Sequence, residues 1–203
     1  MKLTAPSGKE AAVCAGIGAG GALLFLYVFP RGALTTLMHD VLHLPGPGAG
    51  IALIFGPFLI LVVLGSHRVS GANGGALIVA LTFALALALV VRLFRIPTNP
   101  KGAFGSVFFI VAVTLLGLVL EVVMALRSAL SPPRRCILAG ILANALLLVF
   151  YWLVIFPRTA GWVKWGDVPL LMGICLAAGV ISGYLASVLS RALSRALAFM
   201  EKE

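Results

Sequence analysis

The chain is 203 residues long, 62% hydrophobic and only 10% charged, whereas a soluble domain carries roughly 45–50% apolar and about 25% charged residues. So few charges cannot cover a globular surface in water, and the apolar content is too high for disorder. Glycine without a strict period and three cysteines exclude collagen-like and disulfide-scaffold chains, which leaves an all-α integral membrane protein with room, at about 20 residues per span, for little besides its helices.

Six apolar segments follow one another in a single domain covering residues 1–203. The first runs from Ala11 to Phe29 and stops at Pro30; the second runs from Ala49 to Gly65, after Pro45-Gly46-Pro47-Gly48. The third covers Gly75 to Leu93 and the fourth Gly105 to Leu126. Ser131-Pro132-Pro133-Arg134-Arg135 separates the fourth from the fifth, which runs from Cys136 to Phe156 and stops at Pro157. The sixth covers Pro169 to Leu189, and residues 191–203 continue it as a basic helical tail. Each segment can cross a hydrocarbon core of roughly 30 Å as a helix. Lipid demands that conformation because it leaves no partner for an unpaired backbone group.

Six spans put both termini on one side. Of the 15 basic residues, nine then fall on the terminal side and six on the other. That excess predicts cytoplasmic termini in a multi-pass protein of the cell membrane, with the first, third and fifth loops external. Net charge +9 is explained by residues flanking spans, so no nucleic-acid partner is expected. Cys14, Cys136 and Cys175 lie in or beside apolar runs without CxxC spacing and read as small buried hydrophobes.

The polar residues are concentrated in the external loops. In the long first loop, Leu34, Leu37, Met38 and Val41 fall at i, i+3, i+4 and i+7, opposite Thr36, His39, Asp40 and His43. This spacing predicts a short amphipathic helix lying on the membrane or the bundle. Small residues recur at four-residue spacing in two spans. Ala11, Ala15 and Ala19 stand beside Ala12, Gly16 and Gly20 in the first, and Gly179 and Gly183 beside Ala178, Ser182, Ala186 and Ser190 in the sixth. Such rows let backbones approach where no hydrophobic effect drives association. They serve packing inside the bundle or, in the first span, a second protein.

Six spans, cytoplasmic termini, the AxxxAxxxA of Ala11, Ala15 and Ala19, a long first loop ending in Leu44-Pro45-Gly46-Pro47-Gly48, and Gly179-Val180-Ile181-Ser182-Gly183-Tyr184 together resemble the substrate-binding S components of energy-coupling factor (ECF) transporters. The resemblance implies a subunit that captures a small nutrient such as a vitamin or precursor. Uptake would be driven by a separate transmembrane coupling subunit and ATPases. It also implies that Ala11, Ala15 and Ala19 face the coupling subunit and that the His39–His43 segment belongs to a lid over the solute. Metal-uptake members begin with Met and His, whereas the second residue here is Lys2.

The candidate solute-binding residues are His39, Asp40, His43, Asn99, Asn144, Trp162, Lys164 and Trp165. His39 and His43 could ligate one metal ion with Asp40, face a solute, or simply be solvated at the interface; neither a bound metal nor a cofactor is expected. Asn144 is the most central amide, suited to bundle hydrogen bonding or to solute recognition. Trp162 and Trp165 suit an interfacial aromatic belt or a wall for a flat ring, with Lys164 or Arg158 holding an anionic group and Asn99 on the same rim. Glu121 is the one acid well inside a span, where charge costs roughly 2.5–3.5 kcal/mol; a structural hydrogen bond, an arginine partner and a coupling role are all open to it. No phosphate loop, nucleophile elbow or half-repeat occurs. The chain is therefore expected to be no enzyme and no self-powered transporter. The alternatives are a scaffold subunit of a membrane complex or a metal-dependent intramembrane enzyme.

Overall fold

The computed structural model describes residues 6–29, 36–44, 48–70, 74–96, 104–126, 130–159 and 163–200. Among them there are helices and turns but no strands. Helix α1 spans Gly8–Val28. Helix α2 spans Gly56–Ser70 and is preceded, without a break, by a π-helical turn at Ile51–Phe55. Helix α3 is Gly75–Leu93 and α4 is Val107–Ala125. Helix α5, Pro132–Phe150, continues through a second π-helical turn, Tyr151–Ile155, into Phe156–Thr159. Helix α6 is Val168–Met200. Five stretches are long and apolar enough to cross a membrane, and Ile51–Ser66 is a shorter apolar sixth.

Helix ends follow local chemistry. Ser7 and Glu10 form a reciprocal capping box at the start of α1. The Ser106 hydroxyl accepts from the Phe109 N–H at the start of α4, and Pro132 opens α5, where a missing N–H costs nothing. Helix α3 has no side-chain cap of its own, because its N-cap is Gly74 in the left-handed region at φ 88°. The cap comes from α4 instead. Glu121 accepts from the Gly74 N–H at 2.7 Å and from the Ala76 N–H at 3.1 Å. A carboxylate inside an apolar helix thus neutralises the positive end of its neighbour.

The helices alternate in direction. Arg92 Nε donates to the Gly105 carbonyl where α3 ends and α4 begins, and Arg135 donates to the Met124 carbonyl where α4 ends and α5 begins. Helix α2 forms the centre. It packs against α6, α1, α3 and α5, while α1–α3–α4–α5–α6 form an arc around it. The arc is open between α1 and α6, which share no comparable interface among the described residues. The shortest apolar helix is therefore the one shielded by protein, where irregular backbone is tolerated.

Glycines set the closest crossings. A Cβ on Gly179 would lie 2.8 Å from the Gly140 carbonyl oxygen, and one on Gly183 2.8 Å from the Ile137 Cα. The small row of the sixth span is thus spent on α5. Gly117 lets α4 reach α3, and Gly18 lets α1 reach Val79 and Phe83 of α3. On α3 itself, Ala76, Ala80, Ala84 and Ala88 are buried while Leu81, Leu85, Leu89 and Leu93 are exposed. The alanine row, flanked by the buried Val79, Phe83 and Leu87, lets neighbouring helices approach closely.

Several helices run past the apolar segments: α1 begins at Gly8 and α5 at Pro132. The fifth segment does not stop at Pro157, which lies inside a helix running on to Thr159. The second does not stop at Gly65 but continues to Ser70.

Candidate functional site

The irregular features gather at one end of the bundle, where α1, α3 and α5 finish and α2, α4 and α6 start; it is called here the loop end. The π-helical turns of α2 and α5 lie toward this end, and both have one cause. Pro57 follows the start of the Ile51–Phe55 turn by six residues, and Pro157 follows the start of Tyr151–Ile155 by six. Proline donates no hydrogen and its ring collides with the carbonyl four residues back. Widening the preceding turn relieves the collision. Accordingly the Gly56 N–H donates to the Ile51 carbonyl, and the Phe156 N–H to the Tyr151 carbonyl, each five residues back.

Asn144 sits beneath the α2 distortion and is fully buried. Its amide donates to the Ala52 carbonyl at 2.9 Å and to the Cys175 carbonyl at 2.8 Å, joining α5 to α2 and α6. Two facing carbonyls fix which atom of the amide is nitrogen. The Oδ1 has no hydrogen-bond partner among the described residues and lies against Gly56, where a Cβ would overlap it. Both donors of Asn144 are used by backbone, which is the structural half of the expectation for this residue. Above it, Gly48 at φ 106° carries the chain into α2; a Cβ there would lie 2.8 Å from the Leu148 side chain and 3.0 Å from the Trp152 indole nitrogen. Leu148, Tyr151 and Trp152 are all buried.

Beside this node, seven phenylalanines close the space between α1, α2, α3 and α4. Phe25 contacts Phe29, Phe55, Phe58, Phe83 and Phe104, with ring centroids 5.1–6.5 Å apart. Phe109 joins through Phe55 and Phe104. Edge-on and tilted rings at these distances pack favourably.

The first-loop segment folds as a π-helical turn, Thr36–Val41. The Leu42 N–H donates to the Leu37 carbonyl at 3.0 Å and the Leu44 N–H to the Met38 carbonyl at 2.9 Å. Its apolar side does not pack as a unit: Met38 is buried, while Leu37, Val41 and Leu42 are exposed. Leu34 lies outside the described residues. Asp40 and His43 are exposed, with His43 in the left-handed region at φ 49°; the His39 side chain lies outside the described residues. His43 lies beyond the Thr36–Val41 turn, so the two histidines do not share one regular helix. Among the described residues no three His, Cys, Asp or Glu side chains converge.

Lys164 and Trp165 are exposed on the short turn Trp165–Asp167 that leads into α6. Trp162 and Asn99 lie outside the described residues. Arg158 stacks over the Phe108 ring, 4.4 Å from its centroid. The expected solute residues are thus divided: Asn144 is buried in the core, whereas Asp40, His43, Lys164 and Trp165 are exposed.

On α1, the inward row is Cys14, Gly18, Gly21, Ala22 and Phe25. Ala11, Ala15 and Ala19 are half-buried at its margin, and Ala12, Gly16 and Gly20 are exposed. A Cβ on Gly16 or Gly20 would meet nothing within 4 Å. Sequence spacing found the small residues of this helix but not which of them face outward.

The residues that reading missed are Gly48, Gly56, Pro57, Tyr151, Trp152 and Pro157. Their signal was available as a proline six residues after the start of each distorted turn. A scan against protein-family models finds no match to the chain, and searches of curated proteins and of solved structures find none either.

Proposed function

We propose that this chain is a membrane-embedded solute-binding subunit that captures a small nutrient at its loop end and is driven by separate coupling and ATPase subunits. In this reading six helices cross the membrane, the termini are cytoplasmic and the first loop is external. The observation that carries it is the outward row on α1. Ala12, Gly16 and Gly20 are exposed, with Ala11, Ala15 and Ala19 along one edge, and no described helix of the chain covers them. Small residues on an open helix face invite another helix at short range. In this reading the partner packs on the α1 face beside the opening between α1 and α6.

The test is co-purification. Gly16→Trp fills the row at a position where an added Cβ meets nothing within 4 Å. It should abolish capture of a coupling subunit while leaving solute binding intact. Capture at the parental level refutes the assigned face.

The phenylalanine packing favours a second reading. A loop end filled with aromatic rings between α1 and α4 suits a scaffold subunit that binds no solute. Thermal-shift screening of the purified protein against vitamins, their precursors and divalent metals separates the two: a stabilising compound supports the solute subunit, and none across the panel supports the scaffold.

A further inference from the structure

The Ala52 carbonyl has been left without a helical partner by two local events. An α-helix would give it the Gly56 N–H, but that hydrogen goes to the Ile51 carbonyl. A π-helix would give it the N–H of residue 57, but residue 57 is proline and has none. The hydrogen that satisfies it comes from Asn144 on another helix, at 2.9 Å. The same amide holds the Cys175 carbonyl of α6 at 2.8 Å.

We infer that residues 48–56 form a hinged segment at the loop end of α2, and that the Asn144 amide is the pin that holds it closed. Four observations meet there. The segment is bounded by Gly48 in the left-handed region and by Gly56-Pro57, residues that absorb backbone rotation or interrupt the hydrogen-bond ladder. Its helical hydrogen bonding is broken at Ala52 and made good by a side chain. Gly56 has no Cβ, which leaves room for the Asn144 Oδ1 beside it. The segment also carries the end of the first loop, seated at Gly48 on Leu148 and Trp152. Asn144 acts here as a positioning residue: it sets where the segment rests. When the pin releases, the segment swings about Gly56 and uncovers the α5–α6 side of the core. There the Cys175 side chain, with no exposed surface in the closed form, lies about two turns from the start of α6.

Cys175 is therefore a built-in reporter. The protein in nanodiscs, with Cys14 and Cys136 changed to alanine, reacts with a charged methanethiosulfonate at a rate set by opening. Asn144→Ala should accelerate that reaction about tenfold or more, because a local opening becomes populated when its closing hydrogen bonds are lost. Pro57→Ala restores an N–H within reach of the Ala52 carbonyl. The Asn144→Ala, Pro57→Ala double variant should therefore return to within about threefold of the parent, a coupling expected of residues that share one acceptor. An unchanged rate in Asn144→Ala overturns the hinge. An acceleration that Pro57→Ala leaves untouched means general loosening of the core and overturns the pin. Should Asn144→Ala not fold, hydrogen exchange on the unmodified protein decides. Amides of residues 49–56 should exchange about tenfold faster than those of residues 59–64, and equal protection refutes the proposal.

Discussion

Replacing Glu121 tests whether the one acid deep in a span serves folding or coupling. Its carboxylate accepts from the Gly74 and Ala76 N–H groups at the start of α3, and α3 has no side-chain cap of its own. Hydrogen bonds to charged groups contribute about 1.5–3 kcal/mol each. The site is only partly buried, which places the two bonds at the lower end of that range, and Glu121→Ala should destabilise the protein by about 3–4 kcal/mol. Glu121→Gln keeps the shape and one acceptor oxygen but turns an NH2 toward the second N–H, so about half that loss is expected. The assay is reversible unfolding by SDS in mixed micelles, with hydrogen exchange read at residues 74–77. Both variants should lose protection there before any change spreads along α3. A loss below about 0.5 kcal/mol with protection unchanged would refute the capping role. Intact stability together with lost solute transport would assign the residue to coupling instead.

Three further outcomes follow from the packing. Gly179→Leu drives a side chain into the Gly140 carbonyl and the Ile141 backbone and should cost about 2 kcal/mol or more. Gly20→Leu, at a position with nothing within 4 Å, should leave the thermal midpoint unchanged; equal losses in the two variants would contradict the helix arrangement. Gly74→Ala places a Cβ on backbone at φ 88° and should cost about 1 kcal/mol or more in the same unfolding assay; no change there would mean that the turn can rearrange. Met38→Asp removes the buried anchor of the first-loop turn. Limited proteolysis should then cut within residues 36–44 at a concentration that spares the parent; equal resistance would show that the turn is held by something other than Met38.

The helices were legible in the sequence because the apolar runs are long and punctuated by Pro30, Pro45 to Gly48 and Ser131 to Arg135. What faces inward was not, because hydrophobicity carries no contrast between lipid and core. Helix α3 makes the point: its buried alanines and exposed leucines repeat every four residues, yet both rows are apolar, so a pattern of polarity is blind to them. On α1 the alanine row stood out by composition, while the close contacts to the rest of the bundle are made at Gly18 and Gly21. Glu121 and Asn144 were singled out by scarcity, and the structure gives each a backbone partner in a neighbouring helix.

Asn144 shows why the remainder lay beyond a local reading. Its hydrogen-bond partner on α2 is 92 positions away in the chain, and the need for that partner arises from Pro57, five residues beyond the acceptor. Nothing near Asn144 in the sequence records that debt. Seen from Pro57, however, the deduction runs forward. A proline inside an apolar span must leave a carbonyl unpaired, and an unpaired carbonyl in such surroundings is costly. A donor from another helix is one way to satisfy it. Asn144 is the one amide side chain within the six apolar segments, which makes it the natural donor before any coordinate is known. In apolar bundles, prolines within spans and lone amides are best considered as pairs, with the proline stating the demand and the amide meeting it.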